Sequence, residues 1–456
     1  MELNNKRVLV VGLGKSGVAA ALFLKAKGAR VTVSDTKTPD ELKEEIPRLL
    51  DEGIAIETGG HGDRTFQNQD LIVVSPGVPL NAPPLIQARA LGEKVIGEVE
   101  LAAWFFPGPI VAITGSNGKT TTTALAGAVV ANGGFPTLVG GNIGTPAISL
   151  VEQATEDTIA VLEVSSFQLE TIETFRPHIA VVLNVTPDHL DRHRTFTAYA
   201  DAKARIFQNQ QGSDFAVLNA DDPTCVGMAS RIRAKIFWFS RKKEVKQGAH
   251  VRDGRILFRD ADGEREIMLV SEIPLKGAHN VENVLAAVCV GALSDVEPRR
   301  IGKAVREFRA VEHRLEHIAS VGGVEYYNDS KATNVDATIK ALESFPANIH
   351  LILGGKDKGS DYSVLNDLLR QRVKRVYTIG AAAAKIESQI KGATEILHAE
   401  TLENAIRQAA DAAQPGDIVL LAPACASFDQ FRNYEHRGKV FKEVVRGLAA
   451  TKVEAD

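Results

Sequence analysis

The chain has 456 residues, of which 44% are hydrophobic and 24% charged, and its formal net charge at pH 7 is −4. That length exceeds what one ordinary core organises, so about three domains are expected. So mild an acidic balance argues against nucleic acid or an anionic membrane as the main partner, and no apolar run approaches the ~20 residues needed to cross a bilayer. The three cysteines, Cys225, Cys289 and Cys425, lie far apart and lack metal-ligand spacing, which suits a reducing compartment. The N-terminus enters an apolar run at once, with no signal-like region, so a cytoplasmic protein is expected.

Residues 7–12 (RVLVVG) read as a buried strand, followed by Gly12, Gly14 and Gly17 in a G-x-G-x-x-G turn and a helix-compatible run. A second strand ends at Asp35 and Thr36, which completes the pattern of a βαβ nucleotide fold with a carboxylate placed for a ribose hydroxyl. The apolar run 70–77 ends in Ser75-Pro76-Gly77, a loop at the same strand-end crevice. No second long α/β half precedes residue 109 to hold a nicotinamide, which counts against a dehydrogenase.

The proline-bearing stretch WFFPGP (104–109) marks the first domain boundary. Next comes PIVAITGSNGKTTTT (109–123), a strand, a glycine turn and a helix start. Backbone N–H groups of Gly115, Ser116, Asn117 and Gly118 can close on phosphate oxygens at the positive end of the helix. Lys119 can reach the outer phosphates, and Thr120 or Thr121 offers a hydroxyl to Mg²⁺. The fit to G-x-x-x-x-G-K-[ST] is incomplete, because Ile113 stands where the first glycine belongs. The apolar strands that follow imply a parallel sheet covered on both faces. Polar residues gather where they end: Glu163, Ser165, Ser166, Asn184, Asp188 and His189. Lys203 lies in a helix-like run and reads from pattern alone as a solvated lysine. The stretch 250–269 reads as a peripheral hairpin turning at Asp262-Gly263, and 277–293 as an apolar helix with Asn280 and Asn283 near its start.

A boundary near residue 310 opens a second doubly wound unit, beginning with a hairpin that turns at Gly322-Gly323. Its polar loops are NDSKATN (328–334), GGKDKGSD (354–361) and ACASFDQFRN (424–433), and the tail from Ala449 reads as frayed. Lys331 and Lys358 each stand in a loop suited to anionic substrates such as carboxylates. Arg314 and Asp329 read equally as nucleotide contacts or as a surface ion pair. Cys425 reads as a packing residue. Glu163 and the Thr120/Thr121 hydroxyls are the best hard-oxygen ligands for Mg²⁺.

Taken together, TGSNGKTT, GGNIG, LEVSSFQLE, NVTPDHLDRH, GAHNVENVLAA, EHRLE, NDSKATN and PACASFDQF resemble, in order and across the whole chain, the Mur ligases of bacterial peptidoglycan synthesis. The last two, with the GLGKSG start, look like the D-glutamate-adding branch. The short phosphate loop is the form this family carries. The resemblance implies a three-domain α/β protein: an N-terminal Rossmann-like domain for a UDP-linked substrate (1–108), a central P-loop ATPase domain (109–310) and a C-terminal Rossmann-like domain for the incoming amino acid (311–456). It implies ATP-dependent amide ligation through an acyl phosphate and a tetrahedral intermediate. ATP and Mg²⁺ would be needed, with two ions and Mn²⁺ as a substitute, and UDP-N-acetylmuramoyl-L-alanine and D-glutamate would be the small-molecule partners.

Residue by residue, the resemblance puts Lys119 on the outer phosphates, Thr120, Glu163 and His189 on magnesium, and a carbamylated Lys203 beside the second metal. Asn283, Arg314 and Asp329 match ATP-contacting positions. Lys331, Thr333, Lys358, Ser427 and Phe428 fall around the D-glutamate. The Gly14–Ser16 loop with Lys15, Asp35, Thr36 and Gly77 would hold UDP, with Asn142 reaching the sugar-peptide side. Lys15 and Lys37 make that pocket more basic than a uridine requires. Between Lys356 and Lys358, alignment on the double glycine favours Lys358. Siblings adding another amino acid, folate glutamylation, a nicotinamide dehydrogenase built on Gly12–Asp35 and a silent regulatory ATPase are the competing readings. Oligomeric state is unreadable from these motifs; a monomer is the default expectation.

Overall fold

The computed structural model describes residues 2–62, 64–309 and 311–453; the boundary expected at residue 310 and the last three residues lie outside them. The chain divides into two compact units. The first comprises Met1–Val185, Thr197–Met268 and Leu285–Ala304, and the second Thr186–Phe196, Leu269–Val284 and Val305–Asp456.

The first unit holds two sheets. Strands β1 (Arg7–Val11), β2 (Arg30–Ser34), β3 (Ala55–Glu57), β4 (Leu71–Val74) and β5 (Val95–Gly97) form a parallel sheet in the order β3-β2-β1-β4-β5. The order reverses beside β1, so the crevice outside its carboxyl end is where a ligand is expected in such a fold. The second sheet comprises β6 (Ile110–Thr114), β7 (Thr137–Gly141), β8 (Ile159–Glu163), β9 (Ile179–Val182), β10 (Phe215–Asn219), β11 (Lys235–Ser240), β12 (Gly248–Arg252), β13 (Arg255–Asp260) and β14 (Gly263–Leu269). Its order is β14-β13-β12-β11-β10-β9-β6-β8-β7. Strands β6, β8 and β9 are buried along their whole length, as continuous Val/Ile/Leu/Ala runs require when both faces are covered. The expected single hairpin over 250–269 is instead three strands with two turns. Asp253 (φ 50°) and Gly254 (φ 71°) make the earlier one, a left-handed pair that fits a tight two-residue hairpin.

Two glutamates fasten the first sheet to the second. From the helix Glu98–Ala103, Glu98 accepts the Ile148 N–H at 2.7 Å, and Glu100 accepts N–H groups of Glu173, Thr174 and Phe175.

The second unit carries β15 (Glu316–Val321), β16 (Val324–Asn328), β17 (Ile349–Gly354), β18 (Val373–Ile379), β19 (Glu395–Glu400) and β20 (Ile418–Leu421), ordered β15-β16-β20-β17-β18-β19. Only β15 and β16 run antiparallel, as a hairpin; β16, β20 and β17 are parallel neighbours. The loops NDSKATN, PACASF and GGKDKGSD therefore leave the same edge of adjacent strands. The last helix, Tyr434–Val453, continues past Ala449, where fraying is expected from the sequence.

Candidate functional site

The first group of site residues forms around the loop after β6. Gly118 caps the helix Lys119–Asn132 with φ 83°, a left-handed conformation that glycine adopts without a Cβ penalty. The loop is pinned from behind: Ser116 N–H donates to the Asn184 carbonyl, Asn117 N–H to Asn184 Oδ1 at 2.8 Å, and Asn184 Nδ2 returns a bond to the Asn117 carbonyl. Lys119 Nζ folds back onto the Gly115 and Ser116 carbonyls, both at 2.9 Å. Its ammonium thus lies against the glycine turn after β6.

Strands β6 and β8 are parallel neighbours with Ile113 opposite Glu163, so the start of the loop helix meets the end of β8. Thr120 Oγ1 donates to Glu163 Oε2 at 2.8 Å, and Asn142 Nδ2 donates to Oε1 at 2.8 Å. Glu163 is 1% exposed and Thr120 4%. Oxygens bound about 2.1 Å from an octahedral magnesium lie about 3 Å apart, so this oxygen pair fits one edge of such a shell. Hard oxygens and a buried carboxylate suit Mg²⁺. Thr121 is buried on the same helix, one residue on from this edge.

Lys203 is not the solvated lysine its pattern suggests. It is 1% exposed, because the helix Phe196–Ala204 turns Tyr199 and Lys203, four residues apart, to the same inner face. Lys203 Nζ donates to the Gly115 carbonyl at 2.8 Å and stands 4.5 Å from the Tyr199 ring centroid, while the Tyr199 hydroxyl meets Ser116 Oγ.

The predicted uridine positions cluster at the carboxyl ends of β1, β2 and β4: Gly14, Lys15 and Ser16 in the first turn, Asp35 and Thr36 after β2, and Gly77 after β4. Asp35 already accepts the Leu13 N–H (2.6 Å) and the Lys37 N–H (2.9 Å), so it shapes that turn itself.

In the second unit, Asp188 is a hub. It accepts Asn334 Nδ2 at 2.9 Å, Lys358 Nζ at 3.3 Å and the His189 N–H at 2.8 Å. Burial pushes its carboxyl up, but Lys358, His189 and Asn334 outweigh that and hold it below the usual range. His189 sits in the left-handed region (φ 52°), with Nε2 3.6 Å from Asp188. Lys358 is half-buried while Lys356 is exposed, its backbone paired with Ala426. Asp329 is buried rather than on the surface; burial pushes its carboxyl up to about 6 against the opposing charge of Arg314. Asn283 is buried and donates to Asn280 Oδ1. Lys331 stands 5.0 Å from the Tyr434 ring centroid, and Thr333 lies two residues on in the same loop. Ser427 is buried, whereas Phe428 is 66% exposed. Cys425 is buried against the Tyr362 hydroxyl (3.0 Å), in keeping with a packing role.

Sequence reasoning missed Tyr199, Tyr362 and Arg437. Nothing in NYEHRG distinguishes the arginine from a solvated helix residue, yet it is 0% exposed.

Comparison with known proteins places the domains in a family. Residues 6–97 match the Mur ligase MurD-like N-terminal domain, 113–291 the Mur ligase middle domain, and 313–425 the glutamate ligase domain of Mur ligases. The UDP-N-acetylmuramoylalanine–D-glutamate ligase of Koribacter versatilis is 66% identical, covering 98% of this chain and 99% of its own length. That of Acidobacterium capsulatum is 60% identical, covering 99% of each chain. A pseudomurein peptide ligase type C from Methanothermus fervidus shares the fold, with a TM-score of 0.62 at 19% identity over 97% of this chain and 100% of its own. With all three domain types matched in order along the chain, the chain belongs to the Mur ligase family.

Proposed function

We propose that the chain is an ATP-dependent ligase that joins D-glutamate to UDP-N-acetylmuramoyl-L-alanine during peptidoglycan precursor synthesis. The observation that carries this reading is the 66% identity over nearly the full length to a curated ligase of that name. Members of this family use ATP, and the glycine turn after β6 at a helix N-terminus supports that use here.

A carboxylate is a poor acyl donor until one of its oxygens leaves as phosphate. The UDP-substrate's terminal carboxylate would attack the γ-phosphate, releasing ADP and leaving an acyl phosphate. The amine of D-glutamate would then attack the acyl carbon, and the tetrahedral intermediate would expel phosphate. Lys119, close to its loop carbonyls, would shift onto the outer phosphate oxygens and offset charge building there. The backbone amides of residues 115–118, with Thr121 behind them, would hold the nucleotide in line.

Thr120, Glu163, His189 and a carbamylated Lys203 would hold magnesium, which when bound neutralises phosphate charge. Asn142 orients Glu163 and would reach the sugar-peptide side. Asn283, Arg314 and Asp329 would contact ATP. Lys331, Thr333, Lys358, Ser427 and Phe428 would receive D-glutamate, whose two carboxylates call for the lysines. Gly14, Lys15, Ser16, Asp35, Thr36 and Gly77 would hold the UDP end. These roles fall into domains bounded as 1–108, 109–310 and 311–456, in a cytoplasmic monomer. No helix among the described residues is long and apolar enough to cross a membrane.

The test is phosphate release with ATP and Mg²⁺, omitting each remaining substrate in turn. Release that needs both UDP-N-acetylmuramoyl-L-alanine and D-glutamate, with L-glutamate and meso-diaminopimelate failing, is expected. Release with another amino acid moves the chain to a sibling activity. Release indifferent to both substrates contradicts ligation.

A further inference from the structure

The guanidinium of Arg437, in the first turn of the helix Tyr434–Val453, is fully buried and is bonded only to neutral acceptors. Nε donates to Ser330 Oγ at 3.0 Å, and Nη2 to the carbonyls of Ser330 (2.8 Å) and Cys425 (3.1 Å). Nη1 points to the Ala426 carbonyl at 3.5 Å. The same Nη1 lies 3.2 Å from where a Cβ on Gly355 would stand, so the third loop packs directly against it. Among the described residues no carboxylate is hydrogen-bonded to it, and Asp429 acts on it only through space.

One cation therefore bonds to NDSKATN after β16 and PACASF after β20 and packs against GGKDKGSD after β17, three loops that the sheet order brings side by side. Each loop's candidate amino-acid contact lies a short step along the chain from an atom touching the guanidinium. Lys331 follows Ser330, Ser427 follows Ala426, and Lys358 lies three residues beyond Gly355. Lys356 and Ala426 exchange two backbone hydrogen bonds, locking the second and third loops together beside the same group.

Burying a guanidinium with no carboxylate bonded to it is costly, and the carbonyl dipoles and the through-space charge of Asp429 offset only part of that cost. Burial draws its pKa down to about 10, which still leaves the group charged at neutral pH. A methionine or leucine could fill the same volume without that cost. Charge and planar fork geometry are what distinguish arginine here, because five donors in a rigid plane can reach carbonyls on separate loops at once. A dicarboxylate bound above these loops would also feel this positive charge, which Asp429 offsets only in part.

We propose that Arg437 is a positioning residue for the acceptor amino acid: it sets the three loops in register and supplies fixed positive potential beneath a dicarboxylate substrate. This rests on the ligase reading, and it predicts an effect confined to one substrate. The reaction's first half, carboxylate on ATP, involves no amino acid, so Arg437 has no part in it.

The experiment compares wild type with Arg437→Gln and Arg437→Lys in the full-length chain. It measures KM for D-glutamate, ATP and UDP-N-acetylmuramoyl-L-alanine, kcat, the melting temperature, and acyl-phosphate formation without amino acid, trapped by hydroxylamine. For Arg437→Gln we expect KM for D-glutamate to rise at least tenfold. KM for the other two substrates should stay within about twofold and the trapping rate should be unchanged. Arg437→Lys, which restores charge but not the fork, should lie between. A folded Arg437→Gln with unchanged KM for D-glutamate overturns the proposal, as does a parallel rise in all three KM values, which marks a general structural defect. If Arg437→Gln does not fold, Arg437→Lys decides alone: a selective rise of threefold or more supports the proposal and its absence overturns it. If wild type uses an amino acid other than D-glutamate, the ligase reading fails in its substrate, and the selective effect is then read on that amino acid.

Discussion

Glu98 offers a quantitative test of how the first two sheets are joined. Its carboxyl is fully buried; Oε1 accepts the Ile148 N–H, while Oε2 has no hydrogen-bond partner among the described residues. Burial raises its pKa from 4.5 to about 7, only partly opposed by the Ile148 and Ala147 amides. The folded chain therefore holds this proton more tightly than the unfolded chain. No cost is present below about pH 4.5; it grows as pH rises towards 7, and levels off above that at about 3 kcal/mol. Between pH 5.5 and 8.5 the wild type should lose about 2 kcal/mol from this group alone. Glu98→Gln keeps an acceptor for Ile148 but cannot ionise, and its orphan amide N–H costs about 1–3 kcal/mol at every pH. Relative to wild type, the variant should thus be less stable at pH 5.5 and recover by about 2 kcal/mol at pH 8.5. Urea unfolding at both values, read by Trp104 fluorescence in a Trp238→Phe background, measures this. Trp104 caps the same helix and donates to Glu100. A variant-minus-wild-type difference that is the same at both pH values refutes the reasoning.

Glu163→Gln can keep acceptor contacts to Asn142 or Thr120, so it should fold normally. Its turnover should fall by more than about 100-fold, the upper end of what losing even an outer-shell partner costs a metal site; steady-state kinetics over a magnesium titration check both points. Asp329, displaced to about 6, should make KM for ATP fall as pH rises through 6, because the ionised carboxylate accepts hydrogen bonds that the acid does not. Asp329→Asn should flatten that profile. Cys425, its thiol pushed up to about 11 by burial, is about one part in a thousand thiolate at pH 8. Iodoacetamide should leave it unmodified in the folded protein, and Cys425→Ser should keep wild-type turnover. Lys203 should gain the mass of one CO₂ in bicarbonate buffer by native mass spectrometry, and Lys203→Met should not.

The phosphate loop was legible because its chemistry needs local order: an apolar strand, glycines and a lysine within fifteen consecutive residues. The buried strands were legible for a similar reason, since parallel strands covered on both faces are continuous apolar runs. Short or mixed elements such as Ala55–Glu57 and Lys235–Ser240 lacked that signature, and the Asp253-Gly254 turn was hidden inside a stretch read as one strand. At the site, proximity escaped where it depends on strands far apart in sequence. β16 and β20 are neighbours although about ninety residues separate them, and only that pairing places Ser330 beside Cys425. Burial of charge escaped too. Lys203 and Arg437 look like solvated helix residues until the helix faces that carry them are known, because a charged side chain announces nothing about what covers it.

The measurement that bears most directly on the account uses UDP-N-acetylmuramoyl-L-alanine labelled with oxygen-18 in its terminal carboxylate. It is turned over with ATP, Mg²⁺ and D-glutamate, and the released phosphate is analysed by mass. Activation as an acyl phosphate predicts one labelled oxygen per phosphate released, with none when either D-glutamate or the labelled substrate is left out, because no product phosphate then forms. Amide formation accompanied by unlabelled phosphate would contradict it.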